Sequence, residues 1–238
     1  MHTAFQITAS VYRQVFYFYS DNLDSRKILS YVFQQTILKG KTSLGQTYEI
    51  NFENGSKVLN SENANYSFGS LHQIMLKGIS EVLRQHKPSN ILMLGLGGGS
   101  ALSILANKCR HPYQVTAIEI DPELVDIAYR HFDLGKYHNL RVIKGNVTEE
   151  IKHLPAASFD LIIDDIFWDN RMPDFCITRE YLSGNSALLA DKGIYMRNTM
   201  NMEPHESRIF ENSLREVFSG FYSRTHSEHL NKIYFCFR

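Results

Sequence analysis

Cysteine is scarce and unpatterned. The 238 residues hold three, Cys109, Cys176 and Cys236, and no two stand in CxxC spacing. Neither a disulfide framework nor a zinc site is expected, and the thiols read as buried or partly buried ones in a reducing compartment. A charge surplus is also missing, since 25 basic residues balance 25 acidic ones. A generic nucleic-acid binder carries a basic excess, so no nucleic-acid partner is expected. No uncharged apolar stretch approaches the roughly 18 residues that cross a bilayer. No leader is expected either, because Arg13 stands beside the one aromatic run, at 15–19, where a signal peptide needs an unbroken apolar core. Internal repeats and low-complexity tracts are absent as well. What these absences leave is a cytoplasmic enzyme or binding protein.

What is present changes character near residue 88. Upstream, β-like runs at 47–52 and 56–59 flank Asn54-Gly55, a strong short hairpin signal. The stretch 70–85 follows, with Leu71, Ile74, Met75, Ile79, Val82 and Leu83 at helical spacing. The aromatic-rich first 40 residues give no decisive pattern. A division into a β-containing segment (1–69) and a larger unit (70–238) is therefore expected.

Downstream, strand and helix patterns alternate. Short apolar runs at 90–94, 115–120, 140–143, 159–163 and 193–198 read as buried parallel strands. Helices are expected over 100–108, after the Asp121-Pro122 cap, from Thr148, over 178–190 and over 203–218. The last should bury Ile209, Phe210, Leu214, Val217 and Phe218. Runs at 221–226 and 232–237 lie only a few residues apart, so they must pair antiparallel. The pattern predicts an α/β fold with a Rossmann-like, doubly wound and mostly parallel seven-stranded sheet. Its terminal strand would be antiparallel, and a small N-terminal β-rich unit would precede it.

Gly95-Leu96-Gly97-Gly98-Gly99 joins the first of these strands to a helix. Glycines allow a sharp turn and close approach of a ligand, and the helix offers free N–H groups behind them. Glu119 ends the next strand, where an acid accepts ribose hydroxyls. The dinucleotide fingerprint GxGxxG fails at Ser100, whereas the shorter GxGxG spacing is met. The competing reading is a turn that packs a helix on a sheet, with Glu119 solvated. Asn146 ends the third strand and either bonds an adenine amine or caps the helix at Thr148. Asp164, Asp165 and Asp169 close the fourth strand, where open α/β sheets bind ligands. Loop capping is the alternative there.

The stretches ILMLGLGGGSAL, VTAIEIDPELVDIA, NLRVIKGN, FDLIIDDIF and NRMP…TREYL together resemble the spermidine synthase superfamily, in particular its bacterial spermidine-synthase-like branch. The hairpin and ENANYSFGSLHQIM resemble its small β-domain and gate. The resemblance implies a class I fold that binds S-adenosylmethionine. Gly95, Leu96, Gly97, Gly98 and Gly99 would hold the methionine portion, Glu119 and Ile120 the ribose, and Asn146 and Val147 the adenine. Asp164 would lie beside the cofactor, and Asp165 would orient or deprotonate the acceptor. Tyr66, His72, Trp168 and Asp169 are candidate acceptor contacts, although a packed tyrosine, a surface histidine and a core tryptophan are the ordinary fates of such residues.

The chain departs from spermidine synthases at two points. Gly98 replaces the loop aspartate that grips the amine of decarboxylated S-adenosylmethionine, and Asp169 falls one place late for the second carboxylate. A methyltransferase acting on a small-molecule or amine acceptor is therefore expected, with no metal. The alternatives are an aminopropyltransferase using decarboxylated S-adenosylmethionine and a non-catalytic cofactor-binding scaffold. Dimerisation is expected by analogy with the family.

Overall fold

The computed structural model describes residues 25–63, 65–226 and 231–238. The aromatic run at 15–19 lies outside the described residues, as does the side chain of Tyr66. A short helix, α1 (Ser25–Leu29), leads into a four-stranded antiparallel sheet of β1 (Gln35–Lys41), β2 (Thr47–Glu53), β3 (Ser56–Asn60) and β4 (Asn65–Ser67), in that order. Asn54 and Gly55 form the β2–β3 turn, both with positive φ (48° and 74°), as a two-residue hairpin with the strands' natural twist requires.

After α2 (Gly69–Gln85), strands and helices alternate: β5 (Asn90–Leu94), α3 (Ser100–Lys108), β6 (Gln114–Glu119), α4 (Pro122–His131), β7 (Leu140–Lys144), α5 (Val147–Glu150) and β8 (Phe159–Asp164). Then come α6 (Arg179–Leu188), β9 (Leu189–Met200), α7 (Pro204–Val217), β10 (Gly220–His226) and β11 (Asn231–Phe237). The large sheet has the order β10-β11-β9-β8-β5-β6-β7. Pairs from β9 to β7 are parallel, and β11 is antiparallel to both of its neighbours. The last strand of the chain thus sits one place in from the edge.

Two-residue periodicity splits the core into two layers. Ile91 and Met93 of β5 pack with Leu161 and Ile163 of β8 against α2, α3 and α4, and Ile50 and Leu59 of the small sheet join that cluster. Leu92, Leu94 and Ile162 face the opposite layer, with Leu182 of α6 and Phe210 and Leu214 of α7. Alternate strand residues face opposite sides of a sheet, so every strand buried on both faces must be apolar throughout. The helix at 203–218 departs from expectation at one residue: Ile209 is 51% exposed. Phe210 and Leu214, four apart, define the inward stripe, and Ile209 lies about 100° round the helix from Phe210.

All three cysteines are unpaired. Cys176 and Cys236 are buried and Cys109 is half-buried. Burial pushes the Cys176 thiol up to about 12.

Candidate functional site

The chain winds from β5 through β6 to β7 on one side, then returns to β8 and β9 on the other. The strand order reverses between β5 and β8, and the crevice beyond their carboxyl ends is where such sheets bind ligands. A cavity of about 880 Å³ opens there, near the top of the roughly 300–1,000 Å³ range of small-molecule sites. One wall is built from Gly95, Leu96, Gly97, Glu119, Ile120, Asn146 and Val147. The other carries Asp165, Phe167, Trp168, Asp169, Asn198 and Asn231.

The glycine loop is tied down at both ends. The Gly95 N–H donates to the Ile118 carbonyl at 2.9 Å. Gly95 has φ +85°, and a Cβ there would lie 2.8 Å from the Asp165 carbonyl oxygen, so the two strand ends approach too closely for a side chain. Gly98 and Gly99 are not on the cavity wall. They face the packing beneath it, and a Cβ on Gly98 would meet the Ser67 Cβ at 2.9 Å. The Ser67 hydroxyl accepts the Ser100 N–H at 3.0 Å, capping the first turn of α3 from the small sheet. Of the five loop residues, Gly95, Leu96 and Gly97 are the ones at the cavity.

Glu119 is nearly buried, at 8% exposed. Its Oε2 accepts the N–H groups of Leu96 (2.9 Å) and Gly97 (3.3 Å), and its Oε1 accepts that of Asp121 (3.1 Å). Burial raises its pKa, and the three backbone bonds oppose the rise. Of the roughly four lone-pair sites on a carboxylate, three are thus in use, the weakest by Gly97. Asn146 Oδ1 accepts from the Thr148 N–H and hydroxyl, both at 3.0 Å, so it caps α5. An adenine amine would need that same oxygen. The Nδ2 group, a donor, suits a ring nitrogen instead.

The neighbouring aspartates Asp164 and Asp165 part company. Asp164 is the last residue of β8, on the same face as Ile162, and is fully buried away from the cavity. It pairs with Arg197 and accepts the hydroxyls of Tyr181 (2.8 Å) and Tyr195 (2.5 Å). It is a core charge off the cavity wall, because strand alternation turns it into the opposite layer. Arg197 also donates to the Ile166 carbonyl at 3.2 Å, and the Phe167 ring lies 5.7 Å from its guanidinium. Asp165, one residue past the strand, faces the cavity. It accepts from Asn198 Nδ2 at 2.8 Å, and burial raises its pKa against the opposing pull of Asn198 and Arg197.

Asp169 reaches the cavity wall, but its carboxylate is engaged elsewhere. Ser61 Oγ (2.6 Å), the Asn63 N–H (2.9 Å) and Asn63 Nδ2 (2.7 Å) all donate to it. Although burial pushes this carboxyl up, those bonds outweigh it and hold the pKa below the usual range. Asp169 therefore pins the loop after β8 to the small sheet. Trp168, 46% exposed on the cavity wall, is not a core residue. His72 stays off the wall: its Nδ1 lies 2.8 Å from Ser100 Oγ and its ring stacks on Phe68 at 5.7 Å. Sequence reasoning missed Arg197, Asn198 and Asn231. Arg197 left a signal, since a lone arginine inside an apolar strand demands a buried partner.

A methyltransferase domain model matches residues 85–231. The polyamine aminopropyltransferase of Vibrio vulnificus is 35% identical over 150 residues, 61% of this chain and 48% of that protein. The chain spans about half or less of the length of the curated relatives it matches first. Among solved structures, a probable spermidine synthase from Corynebacterium glutamicum superposes with a TM-score of 0.72 at 16% identity, covering 85% of this chain and 79% of that one. Human methyltransferase-like protein 13 in complex with SAH gives 0.61 at 22% identity, covering 71% and 82%. The residues matched, the switch-point cavity and the strand order lead to one conclusion: the chain belongs to the methyltransferase-domain family and has its class I fold in the spermidine-synthase-like form.

Proposed function

We propose that this chain is an S-adenosylmethionine-dependent methyltransferase whose acceptor is an amine. The observation that carries the reading is Asp165, a carboxylate that faces the glycine loop across the switch point and has one oxygen fixed by Asn198. The cofactor supplies an electrophilic methyl group on its sulfonium. Gly95 to Gly97 would hold its methionine portion, Glu119 its ribose, with the second hydroxyl displacing the long Gly97 bond, and Asn146 and Val147 its adenine. Asp165 orients the acceptor nitrogen and takes its proton, so the chain's share of the acceleration is positioning and base catalysis.

Calorimetric binding of S-adenosylmethionine against its decarboxylated form, with NAD as control, tests the assignment. Preference for the intact cofactor is expected, and binding of neither would sink it. Glu119→Gln is expected to weaken cofactor binding about ten- to hundredfold, the loss of a charge-assisted bond of roughly 1.5–3 kcal/mol.

The Vibrio relative favours a second reading, aminopropyl transfer. Gly98 speaks against it, because the space a loop carboxylate would occupy is filled by Ser67. Gly98→Asp is expected to destabilise the protein by about 1–3 kcal/mol through overpacking and to leave cofactor preference unchanged. A thermal melt beside the same calorimetry decides both points.

Two further parts of the proposal rest on other residues. Three unpaired thiols fit a reducing cytoplasm. Exposed Tyr31, Val32 and Phe33 fit self-association as a homodimer, which sedimentation would test.

A further inference from the structure

Asn198 of β9 and Asn231 of β11 line the cavity, yet are 0% and 3% exposed. A primary amide brings two donors and an acceptor with two lone pairs. Leaving any of them unmatched in the interior costs about 1–3 kcal/mol, so a buried pair on a cavity wall calls for an explanation. Their bonds run in one direction. Asn231 Nδ2 donates to Asn198 Oδ1 at 3.1 Å, and Asn198 Nδ2 donates to Asp165 Oδ1 at 2.8 Å.

We propose that Asn231 and Asn198 form a positioning relay that holds Asp165 as an acceptor-only carboxylate, one oxygen fixed and the other presented to the amine. The orientation of Asn198 follows from its two partners. Turned over, it would set its oxygen against the Asp165 carboxylate and its amino group against the Asn231 amino group, acceptor on acceptor and donor on donor. With Asn231 donating to its oxygen, Asn198 keeps its amino group on Asp165, although Asn231 itself makes no bond to Asp165. A carboxylate that receives such a bond favours its ionised form. The other charges facing Asp165 are Arg197, which also favours ionisation, and Asp164, which opposes it. The relay deepens the amine-acceptor reading and rests on it: a base must be ionised and aimed before the acceptor arrives.

The test needs no known acceptor. The Asp165 carboxyl is titrated by carbon NMR in protein labelled at aspartate, with Asp165→Asn to assign the signal. Asn231→Leu removes the outer donor without adding charge and lets the Asn198 amide turn. Its Asp165 pKa is expected to rise by about half a unit or more, roughly threefold in proton affinity. Asn231→Ser keeps a hydroxyl donor and is expected to restore the parent value. An unmoved titration in Asn231→Leu overturns the relay, as does an equal shift in Asn231→Ser. A second measurement uses the parent alone: the side-chain amide signals of Asn198 and Asn231 should both report the Asp165 midpoint, and separate midpoints overturn the relay. S-adenosylmethionine binding is measured on the same samples. Its absence in the parent would sink the methyltransferase reading, whereas retained binding with an unmoved titration sinks only the relay.

Discussion

Asp165→Asn should reduce methyl transfer by about a hundredfold to ten-thousandfold, the span a positioned general base contributes, while S-adenosylmethionine binding stays near the parent value. The amine must lose a proton as it attacks, and Asp165 is a cavity-wall carboxylate with one oxygen fixed by the buried Asn198 amide. Asparagine keeps that contact by presenting its own oxygen to Asn198, so the geometry survives and the basicity does not. In the parent, the rate should climb with pH through an apparent pKa above the ordinary carboxylate range, because burial disfavours the ionised form. That acid limb should vanish in the variant. Stability moves the other way. A carboxyl with a raised folded pKa contributes stability below its unfolded pKa and loses it as pH rises through the folded value. Asp165→Asn should therefore match the parent in acid and exceed it at neutral pH. A variant that retains full turnover would remove Asp165 from the mechanism. A parent that binds cofactor yet methylates no amine would favour a scaffold.

Arg197→Met should lower the unfolding free energy by about 3–5 kcal/mol, because it strands a buried charge. At roughly 2–4 °C per kcal/mol for a chain of this size, the melting temperature should fall by about 6–20 °C. Both partners are fully buried, and Asp164 would be left with the Tyr181 and Tyr195 hydroxyls and a long bond from the Ile166 N–H at 3.4 Å. Adding Asp164→Asn removes the stranded charge and still offers those hydroxyls an acceptor, so the double variant should recover more than half of the loss. Denaturant unfolding of all four corners of the cycle measures the coupling. Equal losses in Arg197→Met and the double variant would show that the arginine stem, not its charge, matters. The single variant should also weaken transfer, since Arg197 braces the Ile166 carbonyl and the Phe167 ring on the cavity wall.

The sheet was legible because its signals are local. Apolar runs of five or six residues ending in glycine or acid mark strand ends, and strand ends in this topology converge on one crevice. Gly95 to Gly97, Glu119 and Asp165 line that crevice for the same reason. Asp164 was misplaced although its position was readable: Ile162 and Asp164 share one strand face, and that face belongs to the second core layer. Asn198 and Asn231 left no such trace. They stand 33 residues apart, and only the antiparallel insertion of β11 beside β9 brings them together. Asp169 lines the cavity, but the engagement of its carboxylate was hidden for a related reason. Its type and position suited a substrate contact, but its partners Ser61 and Asn63 lie more than a hundred positions upstream.

That last bond also orders events in time. Closing Ser61 onto Asp169 joins residues 108 apart in sequence, and long closures come late because their entropy is lost before the contact repays it. The large sheet can therefore assemble while the loop bearing Trp168 is still unanchored. The cavity wall that carries Trp168 therefore takes its final shape only once the small sheet has docked, which makes that docking the step that completes the crevice.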